Sequence, residues 1–378
     1  MAKANRALMN YSPMTENLAV TALPTPLASQ LTSGANRPPL IEYRGAVTPQ
    51  QLDARTQEIA ALAKGAAAHD LGWMHQVSVR GGDRLRWLSG MITNTVKDLP
   101  ENSGAWNLVL NAQGRIQGDL TVWREGDSLE LEIAADQHEK LMAHLDHFII
   151  MDDVELVSHD AAAETAVGLT GPAARAVLSR MGLPVPAEVM TGFQVEWNGL
   201  DLRIHHGYGV LADHFEIWTQ LAGLTVLWRG LSTAGASPVG AASLEAFRVA
   251  EGIPLYGIDL VERDLPQETS QMRALHFNKG CYLGQEIVER IRSRGNVHRH
   301  LRQLELDGPL PQSGTELTLE EAAVGQITSA AELQLEKGIR RFALGMVRSE
   351  AEVKNQALTY SAAAATGTAK ILIGPPAL

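Results

Sequence analysis

The sequence predicts an α+β protein: two α+β subdomains in tandem, followed by a small all-β domain. Three patterns lead there. Runs with apolar residues at every second position are bounded by Gly- and Asn-containing turns, segments with apolar residues at helical spacing separate those runs, and after Arg299 only short alternating segments remain. At 378 residues the chain is also longer than one hydrophobic core usually organises.

The elements follow in order. Residues 1–40 are rich in Ala, Pro, Ser, Thr and Asn without a period, and are expected to form a flexible or loosely docked extension. The body is expected over 41–300, with a break between its two subdomains near 160. In "TPQQLDARTQEIAALAKG", Leu52, Ile59 and Leu62 have helical spacing and Gly65 marks the end; "HQVSVRGGDRLRWLSGM" then reads as strand, turn and helix. Leu108 and Leu110, Leu120 and Val122, and Leu129, Leu131 and Ile133 alternate with polar residues between the turns "NAQGR" and "EGD", which reads as an antiparallel meander. Leu141, Leu145 and Phe148 share a helical face, and "DDVELVS" returns to a strand.

The second subdomain opens with "VGLTGPAARAVLSRMGL", a strand followed by a helix with Pro172 at its first turn and Gly182 at its stop. It continues through "FQVEWNGLDLRIHH" and "HFEIWTQ" to the helix "SLEAFRVAEGI". From 301 to 378, "LRQLELDG", "VGQITSA" and "RRFALGMVR" are separated by Gly and Pro, as in a small β-barrel.

Composition narrows the function. The single cysteine, Cys281, excludes an internal disulfide framework and suits a reducing compartment; with no secretory or membrane-spanning pattern, a cytoplasmic location is expected. A formal charge of -11 disfavours non-specific attraction to nucleic acid.

The stretch with most chemical content is "HFNKGCYLGQE". Glycines flank Cys281, a helix-compatible run follows Gly284, and Lys279 lies two positions away. A thiol on a turn that leads into a helix, beside an ammonium, is biased toward the thiolate. The competing reading is a buried cysteine acting as a small hydrophobe, and the residues alone leave both open. Just beyond, "ERIRSRGNVHRHLR" carries Arg290, Arg292, Arg294, Arg299 and Arg302, a basic strip able to attract an acidic ligand or partner, or else a solvated surface. His298 and His300 lie on the same side of a strand, but two histidines and one cysteine do not complete a structural metal site, so no metal is expected.

The string Lys279-Gly280-Cys281-Tyr282-Leu283-Gly284-Gln285-Glu286 resembles the K-G-C-[FY]-x-G-Q-E signature of the YgfZ family, folate-binding proteins of iron–sulfur cluster maintenance related to the glycine-cleavage T-protein (GcvT). "VSVRGGDRLRWLSGMITNTVKDL", "NAQGRIQGDLTVW", "LTGPAARAVL", "FRVAEGIPLYG" and "VGQITSA...RRFALGMVR" are similar to family segments in the same order, and the resemblance runs from about Asp70 to Val347. It implies a cloverleaf of α+β subdomains around a central cavity for tetrahydrofolate, with a C-terminal β-barrel. It further implies that Cys281 and Lys279 carry the chemistry, and that Asn94, Asp119, Asp213, Glu216, Arg248, Tyr282, Gln285 and Glu286 lie at the ligand. For Arg248, pairing with an internal Asp or Glu is the alternative, because a buried guanidinium needs a carboxylate.

Two departures from the T-protein pattern stand out. Gly118 occupies the position of the first aspartate of that family's G-G-I-x-D-D-like element, and Ala212 that of a pterin-binding glutamate, with Asp213 its nearest substitute. A glycine supplies no carboxylate. The expected function is therefore a tetrahydrofolate-binding accessory factor in maturation or repair of iron–sulfur proteins, with those proteins or their assembly machinery as partners. A folate-dependent aminomethyltransferase is the alternative, and a folate-binding sensor without chemistry is a third class.

Overall fold

The computed structural model describes residues 22–33, 37–161, 163–295 and 297–378. The fold is α+β, with two mixed lobes and a closed six-stranded barrel.

The first lobe is a five-stranded antiparallel sheet in the order Gly104–Leu110, Ile116–Glu125, Ser128–Ala134, Met74–Arg80, Glu155–Ser158. The expected meander supplies three of these strands. Val77, Val79, Val122, Leu129 and Leu131 pack against Leu141 and Leu145 of the helix Ala135–Asp146 and Leu88 of the helix Arg84–Met91. Phe148 lies past the end of its helix and packs at the edge of this core.

The second sheet has six strands in the order Thr191–Trp197, Leu200–Gly207, His214–Gln220, Glu164–Thr170, Ala67–Asp70, Ser237–Val239. Its fifth strand precedes the first lobe in sequence, so the chain is interleaved and the break near 160 is not a clean cut between lobes. The pairing of Ser237–Val239 with Ala67–Asp70 is parallel. Residues 1–21 and 34–36 of the expected extension lie outside the described residues. Within it, however, Pro26–Thr32 forms a helix whose Leu27 is buried against the second core, so the ordered body begins well before residue 40.

The barrel strands are Arg299–Asp307, Gly338–Arg348, Ala322–Leu335, Glu316–Leu319, Leu358–Ala362 and Ala365–Ile371. The helix Ala241–Glu251, ended by left-handed Gly252 at φ 74°, fastens the barrel to the lobes. Its Arg248 donates to Glu245 Oε1 at 2.5 Å, Asp259 Oδ2 at 2.7 Å and Ser329 Oγ at 3.2 Å. The register shift between Ile327 and Ser329 is a bulge, and the Thr328 and Ser329 hydroxyls both donate to Asp259 Oδ1, at 2.5 and 2.7 Å. Among the described residues, no helix is long and apolar enough to cross a membrane.

Candidate functional site

The cysteine turn is held from both sides. Thr93 Oγ1 donates to Ala274 O at 2.6 Å, His276 N to Thr93 O at 3.1 Å, and Leu283 N to Gly90 O at 2.9 Å. Between these anchors, Lys279 Nζ donates to Ile92 O at 2.7 Å and Asn94 O at 2.5 Å and lies 5.0 Å from the Tyr282 ring centroid. Burial lowers the Lys279 pKa to about 7. The lysine expected to activate the thiol thus spends its protons on backbone carbonyls and pins the turn to the first lobe. Cys281 itself is exposed, which removes the buried-hydrophobe reading.

Gly284 sets the start of the helix Gln285–Arg294 with φ 81°, and a Cβ there would lie 2.6 Å from Asn111 O. Tyr282 is buried among Leu108, Leu110 and Ile116, its hydroxyl pKa raised by burial to about 12. Gln285 Oε1 accepts from Tyr282 N, while Glu286 is exposed. These three residues build and flank the turn. Gly284→Ala should therefore destabilise the protein by about 1–3 kcal/mol, since a left-handed non-glycine residue is strained and its methyl group meets a carbonyl. Denaturant unfolding measures this, and a change below about 0.5 kcal/mol would contradict it.

A second group lies where the lobes meet. Asp119 Oδ2 accepts from Trp106 Nε1 and its Oδ1 from Gln137 Nε2, both at 2.9 Å. A Cβ on Gly118 would lie 2.8 Å from Gln137 Oε1 and from Leu141 Cδ2, so position 118 faces the helix Ala135–Asp146. The glycine therefore does not strip this region of acid: Asp119, the next residue on the strand, acts electrostatically on Arg273. Arg273 was not singled out by the sequence. Its guanidinium carbon lies 4.4 Å from the Trp106 ring centroid and 3.6 Å from that of Tyr208, and burial lowers its pKa to about 10. Asn94 Nδ2 holds the Arg273 carbonyl at 2.9 Å, and Asn94 Oδ1 accepts from Thr95 N at 3.0 Å. Asn94 is thus a scaffold for both Lys279 and Arg273.

Next to this lies a buried network that joins the two sheets. His205 Nε2 meets Glu125 Oε1 at 2.8 Å and Nδ1 meets Glu132 Oε1 at 3.1 Å, and its ring stacks on Trp123 at 3.9 Å. Glu132 also accepts from Trp123 Nε1 at 2.7 Å and Trp218 Nε1 at 2.9 Å. These bonds hold the Glu132 pKa down despite its burial and raise that of His205 to about 9. Burial and the neighbouring Glu132 push the Glu216 carboxyl well above its ordinary pKa. Ligand-type atoms of Glu132, His205 and Glu216 lie within 4.8 Å of one another, but these internal bonds already engage both imidazole nitrogens. The group is a buried carboxylate–imidazole network. His214 continues it, with Nδ1 2.8 Å from Thr170 Oγ1 and Nε2 3.4 Å from Glu216 Oε1.

Two other expected ligand residues are used internally. Asp213 pairs with Arg175 at 2.7 Å and with His206 at 3.1 Å. Arg248 is consumed by Glu245 and Asp259, the internal alternative, and has no donor left over for a ligand. Three arginines of the basic strip are paired internally: Arg292 with Glu289, Arg299 with Asp264 and Glu268, and Arg302, together with His300, with Glu352.

Comparison with known proteins agrees with this architecture. The model of the GCVT N-terminal domain matches residues 32–279, and that of the CAF17, C-terminal beta-barrel domain matches residues 298–372. An aminomethyltransferase of Rubrobacter xylanophilus is 28% identical over 277 residues, 71% of this chain and 73% of that protein. One from Geobacillus kaustophilus is 27% identical over 302 residues, 77% of this chain and 82% of that protein. The crystal structure of glycine cleavage system aminomethyltransferase T from Bartonella henselae superposes with a TM-score of 0.81 at 20% identity, covering 92% of this chain and 95% of that one, a likeness of fold.

Proposed function

The chain belongs to the GCVT N-terminal domain family, and from that premise we propose that it is a tetrahydrofolate-binding accessory factor in the maturation or repair of iron–sulfur proteins. In this reading Cys281 acts on the partner protein, and the cluster is the partner's. The observation that carries the reading is the exposed Cys281 on a turn fixed by Lys279, Leu283 and Gly284. A thiol held rigidly at the surface suits exchange with another protein. The K-G-C-Y-L-G-Q-E string and the CAF17-type barrel support the same assignment.

The region around Asp119 fits a folate-type ligand in kind. It gathers a carboxylate, two aromatic rings and a half-buried guanidinium whose terminal nitrogens have no acceptor among the described residues. A reduced pterin with an acidic tail needs those groups. When bound, tetrahydrofolate supplies nitrogens able to carry a one-carbon unit. Asp119 orients the ligand, Trp106 and Tyr208 exclude water, and Lys279 and Asn94 tie this region to the cysteine turn.

Cys281→Ser tests the reading in cells that lack the endogenous gene. Activity of oxidant-sensitive iron–sulfur enzymes should fall to the level of the deletion, with the variant present at normal abundance. Full restoration by the serine variant would favour a sensor without thiol chemistry. Asp119 keeps a second reading in play, aminomethyl transfer to the same ligand. Release of ammonia from an aminomethylated lipoyl carrier, dependent on tetrahydrofolate and lost in Asp119→Asn, would establish it.

A further inference from the structure

The arginines withdrawn wholly or partly from solvent divide into two kinds. Arg203 bonds to Glu164 at 2.5 Å, and Arg248 to Glu245 and Asp259 at 2.5 and 2.7 Å. Arg273 is half-buried without such a partner. Its one side-chain bond runs from Nε to Gln271 Oε1 at 3.3 Å, and its two terminal nitrogens bond to no acceptor among the described residues. The nearby acids do not fill the gap. Neither acid bonds the guanidinium: Asp119 accepts from Trp106 and Gln137, and Glu251 Oε1 accepts from Val210 N and Leu211 N at 2.9 Å each.

Holding a charged fork partly withdrawn from water with no acceptor is costly, and a ligand that brings the missing acceptor recovers that cost. The fork is also positioned for the task. Trp106 and Tyr208 lie against the guanidinium from different lobes, and Asn94 fixes its backbone, so little side-chain freedom is left to lose on binding. Tyr208 is 38% exposed, which leaves the site an approach from solvent.

We propose that Arg273 is the anion-binding residue of this site and takes a carboxylate of the ligand through its terminal nitrogens. A singly charged group is favoured over a dianion, because Asp119 and Glu251 lie close enough to act on the guanidinium. The assignment deepens the tetrahydrofolate reading and rests on it for the identity of the ligand. It gives the acidic tail to Arg273 in place of Arg248, and the ring system to the side of Asp119.

The test is anaerobic calorimetry on the full chain with three probes: tetrahydrofolate, 6-methyltetrahydropterin, which lacks the carboxylates, and p-aminobenzoylglutamate, which lacks the pterin. Arg273→Met should weaken both carboxylate probes roughly ten- to a hundredfold and change 6-methyltetrahydropterin by less than about twofold. Arg273→Lys keeps the charge and loses the fork, and should fall between; it carries the test alone if the methionine variant does not fold. An equal loss for all three probes, or none, overturns the assignment. So does wild-type protein that binds no carboxylate probe. Binding of p-aminobenzoylglutamate without either pterin would instead overturn the folate reading and leave the assignment of Arg273 standing.

Discussion

Arg248→Met is expected to cost about 3–5 kcal/mol of stability, the largest effect of any single substitution considered for this protein. Among the described residues the arginine is the only cation in direct contact with Asp259, whose side chain is fully buried, and it also holds Glu245. Removing it leaves two carboxylates without a counter-charge, one of them in a site closed to water. The loss reaches the barrel, since Asp259 also accepts from Thr328 and Ser329 at the bulge. Arg248→Lys should recover only part of the loss, because one ammonium cannot serve Glu245, Asp259 and Ile253 O together. Denaturant titration measures the effect; a cost under about 1 kcal/mol would mean that the cluster is not what fastens the barrel.

The second large effect is a pH dependence. His205 lies between Glu125 and Glu132, and its pKa is raised from 6.5 to about 9. A group raised on folding binds its proton more tightly in the native state. Its contribution is therefore complete below pH 6.5 and is lost as pH rises through about 9. The expected loss is roughly 3 kcal/mol across that window. His205→Gln should be less stable than wild type at pH 6, with the difference shrinking toward pH 10. His159, raised to about 9 by Glu130 and Glu164, and Lys279, lowered to about 7 by burial, titrate in both proteins and cancel in the difference. A difference independent of pH would show that His205 is neutral in the native state.

The sequence reading succeeded where the causes are local. The strands Ile116–Glu125 and Ser128–Ala134 alternate against one helix, and the turn between Lys279 and Gln285 is written in its glycines. It failed where meaning depends on distant partners. Nothing in "AAHD" shows that Ala67–Asp70 completes a sheet whose other strands begin at Glu164. Arg248 visibly needed a carboxylate, but only the fold identifies Glu245 and Asp259. Gly118 resembled a missing acid because a string comparison does not see which face of a strand a position occupies; the structure turns 118 toward Leu141 and leaves Asp119 beside Trp106. Arg273 lies in "SQMRALHF", which has no period and no motif, and becomes notable only through Trp106 and Tyr208. The role of Lys279 changed for the same reason: two carbonyls remote in sequence claim its ammonium.

The ligand region and the cysteine turn are physically connected. Asn94 joins them directly: its carbonyl receives Lys279 and its amide holds Arg273. In the proposed function, a ligand bound at Asp119 and Arg273 lies against the residue that also anchors the Cys281 turn. The central claim is that Asp119 and Arg273 belong to a ligand site, and a crystal structure of the chain grown with tetrahydrofolate under anaerobic conditions tests it most directly. The account predicts density bounded by Asp119, Tyr208 and Arg273, with a carboxylate at the Arg273 terminal nitrogens. Tetrahydrofolate bound elsewhere, or no density at a concentration that saturates the protein in solution, would contradict it.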